Sequence, residues 1–177
     1  STVLLKNQDV LPLTKGIKLY AENILDSQPY EKYATLVESP EQADVVLVRT
    51  NTPYDPRNSN IVESFFHQGR LYFSEEEMSE IMTVIESKKS VVVVNLERPA
   101  ILSEIDAATQ GLIAEFGTSD EVLADILFGE RQPEGKMPFE LPSSWEAVLE
   151  QKEDMPYDSK DPLYPFGHGL VYEQIVL

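Results

Sequence analysis

The most chemically capable stretch of this chain is RTNTPYDPRNSNIVESFFHQG, Arg49 to Gly69, which gathers guanidinium, carboxylate and imidazole side chains into one segment. Arg49 and Arg57 could each orient a ligand hydroxyl through a fixed fork of donors, or pair with an acidic neighbour, and an acidic chain favours the pairing. His67 has an ordinary pKa near neutrality and could shuttle a proton, although a loop histidine more commonly hydrogen-bonds the backbone. Glu63 is first of all a solvent-exposed carboxylate. A run this long without a helical pattern is usually functional or disordered in a compact domain, and Tyr54, Phe65 and Phe66 argue against simple disorder.

Other reactive side chains have simpler explanations. Glu75, Glu76 and Glu77 fall in the first turn of an expected helix, where capping and the helix dipole account for them. His168, flanked by Gly167 and Gly169, reads as part of a tight turn, and Trp145 follows a serine cap as a packing anchor. Dinucleotide, triphosphate, esterase-elbow and zinc-protease motifs are absent, and two histidines without cysteine cannot build a histidine-rich metal site. Neither a cofactor nor a metal is expected.

These side chains need a frame. Ile17 to Ala21, Val45 to Val48, Val91 to Leu96 and Leu112 to Phe116 read as buried strands, and the unalternating Val91–Val94 run suits a parallel strand covered on both faces. Ser74 with Glu77 forms a capping box before Met78, Ile81, Met82 and Ile85 at helical spacing, with Lys88 and Lys89 at the helix's negative end. Thr118 with Glu121 repeats the pattern before Val122, Leu123, Ile126 and Leu127, and Gly129 ends that helix. Shorter helices are expected over Tyr30 to Val37 and Pro99 to Ala107. The expected fold class is α/β, a three-layer sandwich with a mostly parallel sheet and helices on both faces. An open sheet of this kind places ligands at the carboxyl ends of its strands, where the Arg49 to Gly69 segment begins. After Gly129, six prolines punctuate a tail expected to wrap over the domain and to add a strand near Val171, so the expected organisation is a single unit with a core over 1–129 and a wrapping tail over 130–177.

Bulk composition narrows the partners. With 31 acidic and 14 basic residues, the formal charge of −17 repels polyanions, so nucleic acid is not expected as a ligand. No run of about 18 apolar residues is present to span a bilayer, so no membrane partner is expected either. The absence of a basic and apolar leader leans towards a cytoplasmic rather than secreted location, although the opening STVLLKN looks cut from a longer polypeptide.

The segment Gly135 to Tyr172, GKMPFELPSSWEAVLEQKEDMPYDSKDPLYPFGHGLVY, closely resembles the closing segment of glycoside hydrolase family 3 enzymes, with Phe166, Gly167, Gly169 and Leu170 in the family's terminal turn. STVLLKNQDVLPL at the front resembles the opening strand of that family's second domain. The resemblance implies the C-terminal domain of a retaining, β-glucosidase-like or β-N-acetylhexosaminidase-like hydrolase, whose catalytic aspartate nucleophile would sit in a separate N-terminal barrel domain. Retention requires two carboxyl groups about 5 to 5.5 Å apart, one a nucleophile and one an acid/base.

In some family members the loop equivalent to Arg49 to Gly69 reaches over the barrel's pocket and supplies the acid/base. The resemblance therefore makes Glu63 the candidate acid/base, with Asp55 as its rival, and makes Arg49, Arg57, Asp55 and His67 candidate substrate-binding groups. One branch takes its acid/base from the barrel instead. The implied partners are that barrel and a carbohydrate substrate, with a homo-oligomer also open, and the chain by itself is expected to be inactive. The alternative is a non-catalytic scaffold or interaction domain that completes or oligomerises a barrel partner.

Overall fold

The computed structural model describes residues 2–53, 69–151 and 160–173. Among these, six strands form one sheet: β1 (Thr2–Asn7), β2 (Lys18–Glu22), β3 (Thr35–Leu36), β4 (Val45–Asn51), β5 (Lys89–Asn95) and β6 (Gly111–Glu115), in the order β1-β6-β5-β4-β2-β3. Every neighbouring pair is parallel except β1 with β6. Val91, Val92, Val93 and Val94 are all fully buried, as an unalternating run demands when both sheet faces are covered.

Each face carries its own core. On one side Leu4, Leu19, Val45, Leu47, Val93 and Ile113 meet α4 (Asp120–Leu127), while Tyr30 of α1 (Gln28–Glu31) joins the same cluster. On the other side Val48, Val92, Val94 and Leu112 meet Ile81 and Ile85 of α2 (Glu75–Ile85) and Ile105 of α3 (Ser103–Ala108). The result is the expected helix–sheet–helix sandwich.

Several local expectations are corrected. The residues Tyr30 to Val37 do not form one helix: α1 ends at Glu31, and Thr35–Leu36 pairs with Lys18 and Leu19 as the short edge strand β3. The helix expected from Pro99 starts at Ser103, after Leu102 is buried. Lys89 opens β5 instead of closing α2. The α4 cap is Ser119, whose Oγ accepts from the Val122 amide, while the Thr118 hydroxyl bonds that of Thr2 at 3.0 Å. The Ser74–Glu77 capping box forms as expected, both of its hydrogen bonds being present. Ser144 caps α5 (Trp145–Leu149), and Trp145 meets Tyr72 edge to face at 5.4 Å.

Beyond α4, described residues run along the free edge of β1. The Gly135 amide donates to Thr2 O at 3.0 Å and the Leu170 amide to Leu4 O at 2.8 Å. Near Val171 this amounts to a single bridge, Leu4 with Leu170, and not to a further strand. His168 donates from Nε2 to Leu5 O at 2.8 Å and lies against the Tyr164 ring, so it serves the turn. Gly167 has φ +80, which the turn requires. Capping the outer carbonyls of β1 removes a template for edge-to-edge pairing.

Candidate functional site

The carboxyl ends of β2, β4, β5 and β6 lie along one rim because their registers are continuous: Glu22 sits beside Val48, Asn51 beside Asn95, and Asn95 beside Glu115. The chain runs outward from β2 to β3 and then returns to place β4 on the other side of β2, so the order reverses between β2 and β4. Such a reversal opens a crevice. Here it is an open cavity of about 280 Å³ flanked by Glu22, Asn23, Thr50, Asn51, Glu77 and Glu80.

β4 extends to Asn51, so Arg49 belongs to the strand and not to the segment beyond it. Being two residues past Leu47, it stays on the α4 face. Its Nη1 donates to Asp120 Oδ1 at 2.7 Å, and its Nη2 donates to Glu115 Oε1 at 3.0 Å and to Thr118 O at 3.1 Å. Asp120 also accepts from the Tyr30 hydroxyl at 2.5 Å and from the Leu25 and Asp26 amides at 2.8 and 2.9 Å. Burial opposes the Arg49 charge, but the Glu115 hydrogen bond and the charges of Asp120 and Glu115 outweigh it and raise the guanidinium pKa. Burial likewise pushes the Asp120 carboxyl up, while the Tyr30 hydroxyl, the two amides and Arg49 bring it below its usual value. Arg49 thus holds the α4 N-terminus to the sheet, in the ion-pair arrangement weighed from the sequence.

On the opposite face, Arg70 and Glu77 form a two-pronged pair at 2.8 and 3.2 Å, and Glu77 Oε2 also accepts from the Ser74 amide at 2.7 Å. The Arg70 hydrogen bond is the main reason that the Glu77 pKa falls to about 2. Glu77 is therefore ionised and committed to its helix cap, leaving Glu80 and Glu22 as further carboxylates of the crevice wall.

The sequence pattern did not single out Arg98, which follows β5. Its Nη2 donates to both Pro53 O and Arg70 O, each at 2.6 Å, and its Nη1 donates to Gly69 O at 3.2 Å. Pro53 and Gly69 are the last described residues before and the first after 54–68. Thr52 adds a bond from its amide to Asn95 O at 3.0 Å and another from its hydroxyl at 2.8 Å. A cation immediately after a strand's carboxyl end, in a chain with few cations, was the available clue. Asp55, Arg57, Glu63 and His67 lie outside the described residues. Among the described residues, no group of three His, Asp or Glu side chains is arranged to hold a metal ion.

The two-cored sandwich and its carboxyl-end rim define an α/β domain built on a mostly parallel sheet. Residues 15–172 match the glycosyl hydrolase family 3 C-terminal domain, and the chain belongs to that family. It is 43% identical over 173 residues to a periplasmic beta-glucosidase/beta-xylosidase of Dickeya chrysanthemi, covering 96% of this chain and 26% of that protein. It is 39% identical over 175 residues to beta-glucosidase C of Emericella nidulans, covering 97% of this chain and 28% of the relative. The chain therefore spans little more than a quarter of these relatives. The fold superposes on a Listeria innocua beta-glucosidase bound to isofagomine with a TM-score of 0.71 at 18% identity, covering 98% of this chain and 32% of the other. A Thermotoga neapolitana beta-glucosidase 3B bound to glucose gives the same TM-score at 17% identity, covering 98% of this chain and 37% of the other.

Proposed function

We propose that this chain is the C-terminal domain of a retaining, β-glucosidase-like hydrolase, that segment 54–68 reaches the active site of an N-terminal barrel domain, and that Glu63 is the general acid/base there. The observation that carries this reading is where the segment is rooted: it departs at Pro53 and returns at Gly69 on the carboxyl-end rim, beside the strand-reversal crevice. Ligands of open α/β sheets gather at that rim. Relatives named as beta-glucosidases, of which the chain spans about a quarter, support a larger enzyme with a further domain.

In this reading the barrel's aspartate attacks the anomeric carbon while the Glu63 carboxylic acid protonates the departing glycosidic oxygen. The resulting Glu63 carboxylate then takes a proton from the water that hydrolyses the glycosyl-enzyme. Arg57, Asp55 and His67 are proposed substrate-binding groups on the same segment. Arg49, as a substrate ligand, would have to give up partners it already holds.

The test is Glu63→Ala in a full-length enzyme carrying this domain. It is expected to slow glucosides with poor leaving groups far more than activated aryl glucosides, and azide is expected to restore turnover of the activated substrates. Equal loss on both substrates without azide rescue would move the acid/base elsewhere. The isolated 177-residue chain is expected not to hydrolyse an aryl glucoside. A non-catalytic scaffold is the second reading, favoured by the commitment of Arg49, Glu115 and Asp120 to holding α4 on the sheet. A full-length Glu63→Ala enzyme with unchanged turnover on both substrates would select it.

A further inference from the structure

We propose that the α4 side of the carboxyl-end rim is the docking face for the polypeptide that precedes this domain in a longer parent enzyme, with Leu25 as its apolar anchor. This inference rests on the reading of the chain as the C-terminal domain of a larger enzyme, and not on the role given to Glu63. Two hollows lie side by side on that face and share Ser119. One, of about 490 Å³, is flanked by Leu25, Pro29, Lys32 and Glu121, and the other, of about 820 Å³, by Thr2, Thr118, Val122, Gln132 and Gly135.

Apolar residues exposed singly are ordinary on a protein surface. Leu25 differs because its backbone is held in place while the residue itself is 90% exposed. The Leu25 and Asp26 amides both donate to Asp120 Oδ2, at 2.8 and 2.9 Å, and Asp120 is in turn held by Arg49 and Tyr30. Asn23, at φ +59, donates from Nδ2 to Arg49 O at 3.0 Å, and Asp26 Oδ1 accepts from the Gln28 amide at 3.0 Å. An anchor fixed beforehand loses little conformational freedom on docking, and a few such anchors carry most of an interface's binding energy.

The position of β1 indicates the occupant. Thr2 pairs with Glu115 at the carboxyl end of β6 and itself lines the larger hollow, so a chain leading into Thr2 arrives on this face. The family match is to a C-terminal domain, and the chain spans 28% and 26% of two beta-glucosidase relatives, which puts most of such a parent on the Thr2 side. Charge adds a second constraint. Asp26 and Glu121 border the smaller hollow in a chain of formal charge −17, so the opposing face should offer an apolar socket for Leu25 with basic side chains around it.

The chain contains no cysteine, so one introduced thiol, followed on its own peptide by mass, reports on its own position. Leu25→Cys and Lys32→Cys are expected to react with a maleimide at least about 10-fold more slowly in a full-length enzyme than in the 177-residue chain, because a docked side chain reacts only when the domains part. Glu86→Cys, where α2 gives way to β5 on the opposite rim, should react equally in both. Leu25→Asp should leave the melting temperature of the 177-residue chain within about 1 °C, as surface changes do, and should speed proteolytic separation of this domain from the full-length enzyme by about 10-fold. Equal reactivity of Leu25→Cys in both proteins, or unchanged proteolysis of Leu25→Asp, would overturn the docking face. Protection that fades on dilution would assign the face to a second copy and overturn it too. If Leu25→Cys is protected but Glu63→Ala leaves turnover intact, the docking face stands and the acid/base assignment is what fails.

Discussion

Arg49 Nη1 lies 2.7 Å from Asp120 Oδ1, tying the carboxyl end of β4 to the first residue of α4 across 71 positions of sequence. Glu115 shares the same guanidinium, and the side chains of Glu115 and Asp120 are both nearly fully buried. Removing a buried cation leaves its carboxylates without compensation, which costs about 3–5 kcal/mol. Arg49→Met is expected to lower the urea-unfolding stability of the chain by that amount. Adding Asp120→Asn should cost less than its effect alone, because the two sites are coupled. Strict additivity would show that the pair carries no coupling energy.

Glu77 gives the acid limb of the stability profile. Its pKa is about 2 in the fold, held down chiefly by the Arg70 hydrogen bond, so its stabilisation is present above the unfolded carboxylate pKa and disappears as pH falls towards 2. The side chain is 44% exposed, which limits the ion pair by screening. Glu77→Gln should destabilise by about 1 kcal/mol at neutral pH, through the weakened pair and cap. Chemical denaturation at several pH values should show the gap from the parent closing between about pH 5 and pH 2, with no gap at the acid end.

Tyrosines set the alkaline limb. Burial raises the Tyr172 hydroxyl pKa, and burial with the Asp120 bond raises that of Tyr30. A raised folded pKa gives stability that is complete below the unfolded value, about 10, and is lost as pH rises beyond it. Tyr172 donates to Ile126 O at 2.7 Å, so Tyr172→Phe should cost about 1 kcal/mol at neutral pH. That difference should shrink above about pH 10, where only the parent has this hydroxyl to keep protonated. A gap that stays constant to pH 11 would show that Tyr172 is not held neutral.

What could be read from the sequence followed physical range. The Val91–Val94 run, the Ser74–Glu77 box and Gly129 are local signals, and each sits where its pattern places it. β3 was missed because two residues carry no periodicity and their pairing is set by β2. Arg49 could be seen as a cation but not assigned to Asp120 and Glu115, which lie far along the chain. Arg98 offered only its place beyond β5 as a clue, because its partners at Pro53, Gly69 and Arg70 are backbone carbonyls, which every residue type possesses. The candidate acid/base Glu63 came from family resemblance, and its segment lies outside the described residues.

The covering of the β1 edge depends on two glycines that admit no side chain. A Cβ on Gly135 would fall 2.3 Å from Thr2 O, and a Cβ on Gly169 would fall 2.3 Å from Gly135 O, so backbone and not a flexible side chain would have to yield. Gly169 has no need of a left-handed backbone, which leaves close approach as the reason for its lack of a side chain. Gly135→Ala and Gly169→Ala should each cost about 1–3 kcal/mol, comparable to overpacking a tight interior. Both act on the same layered contact, Thr2 against Gly135 against Gly169, so the double variant should lose less than the sum. Thermal melts of the four proteins decide this. Full additivity would mean that the two approaches are independent, and an unchanged Tm in either single variant would mean that its contact is not close.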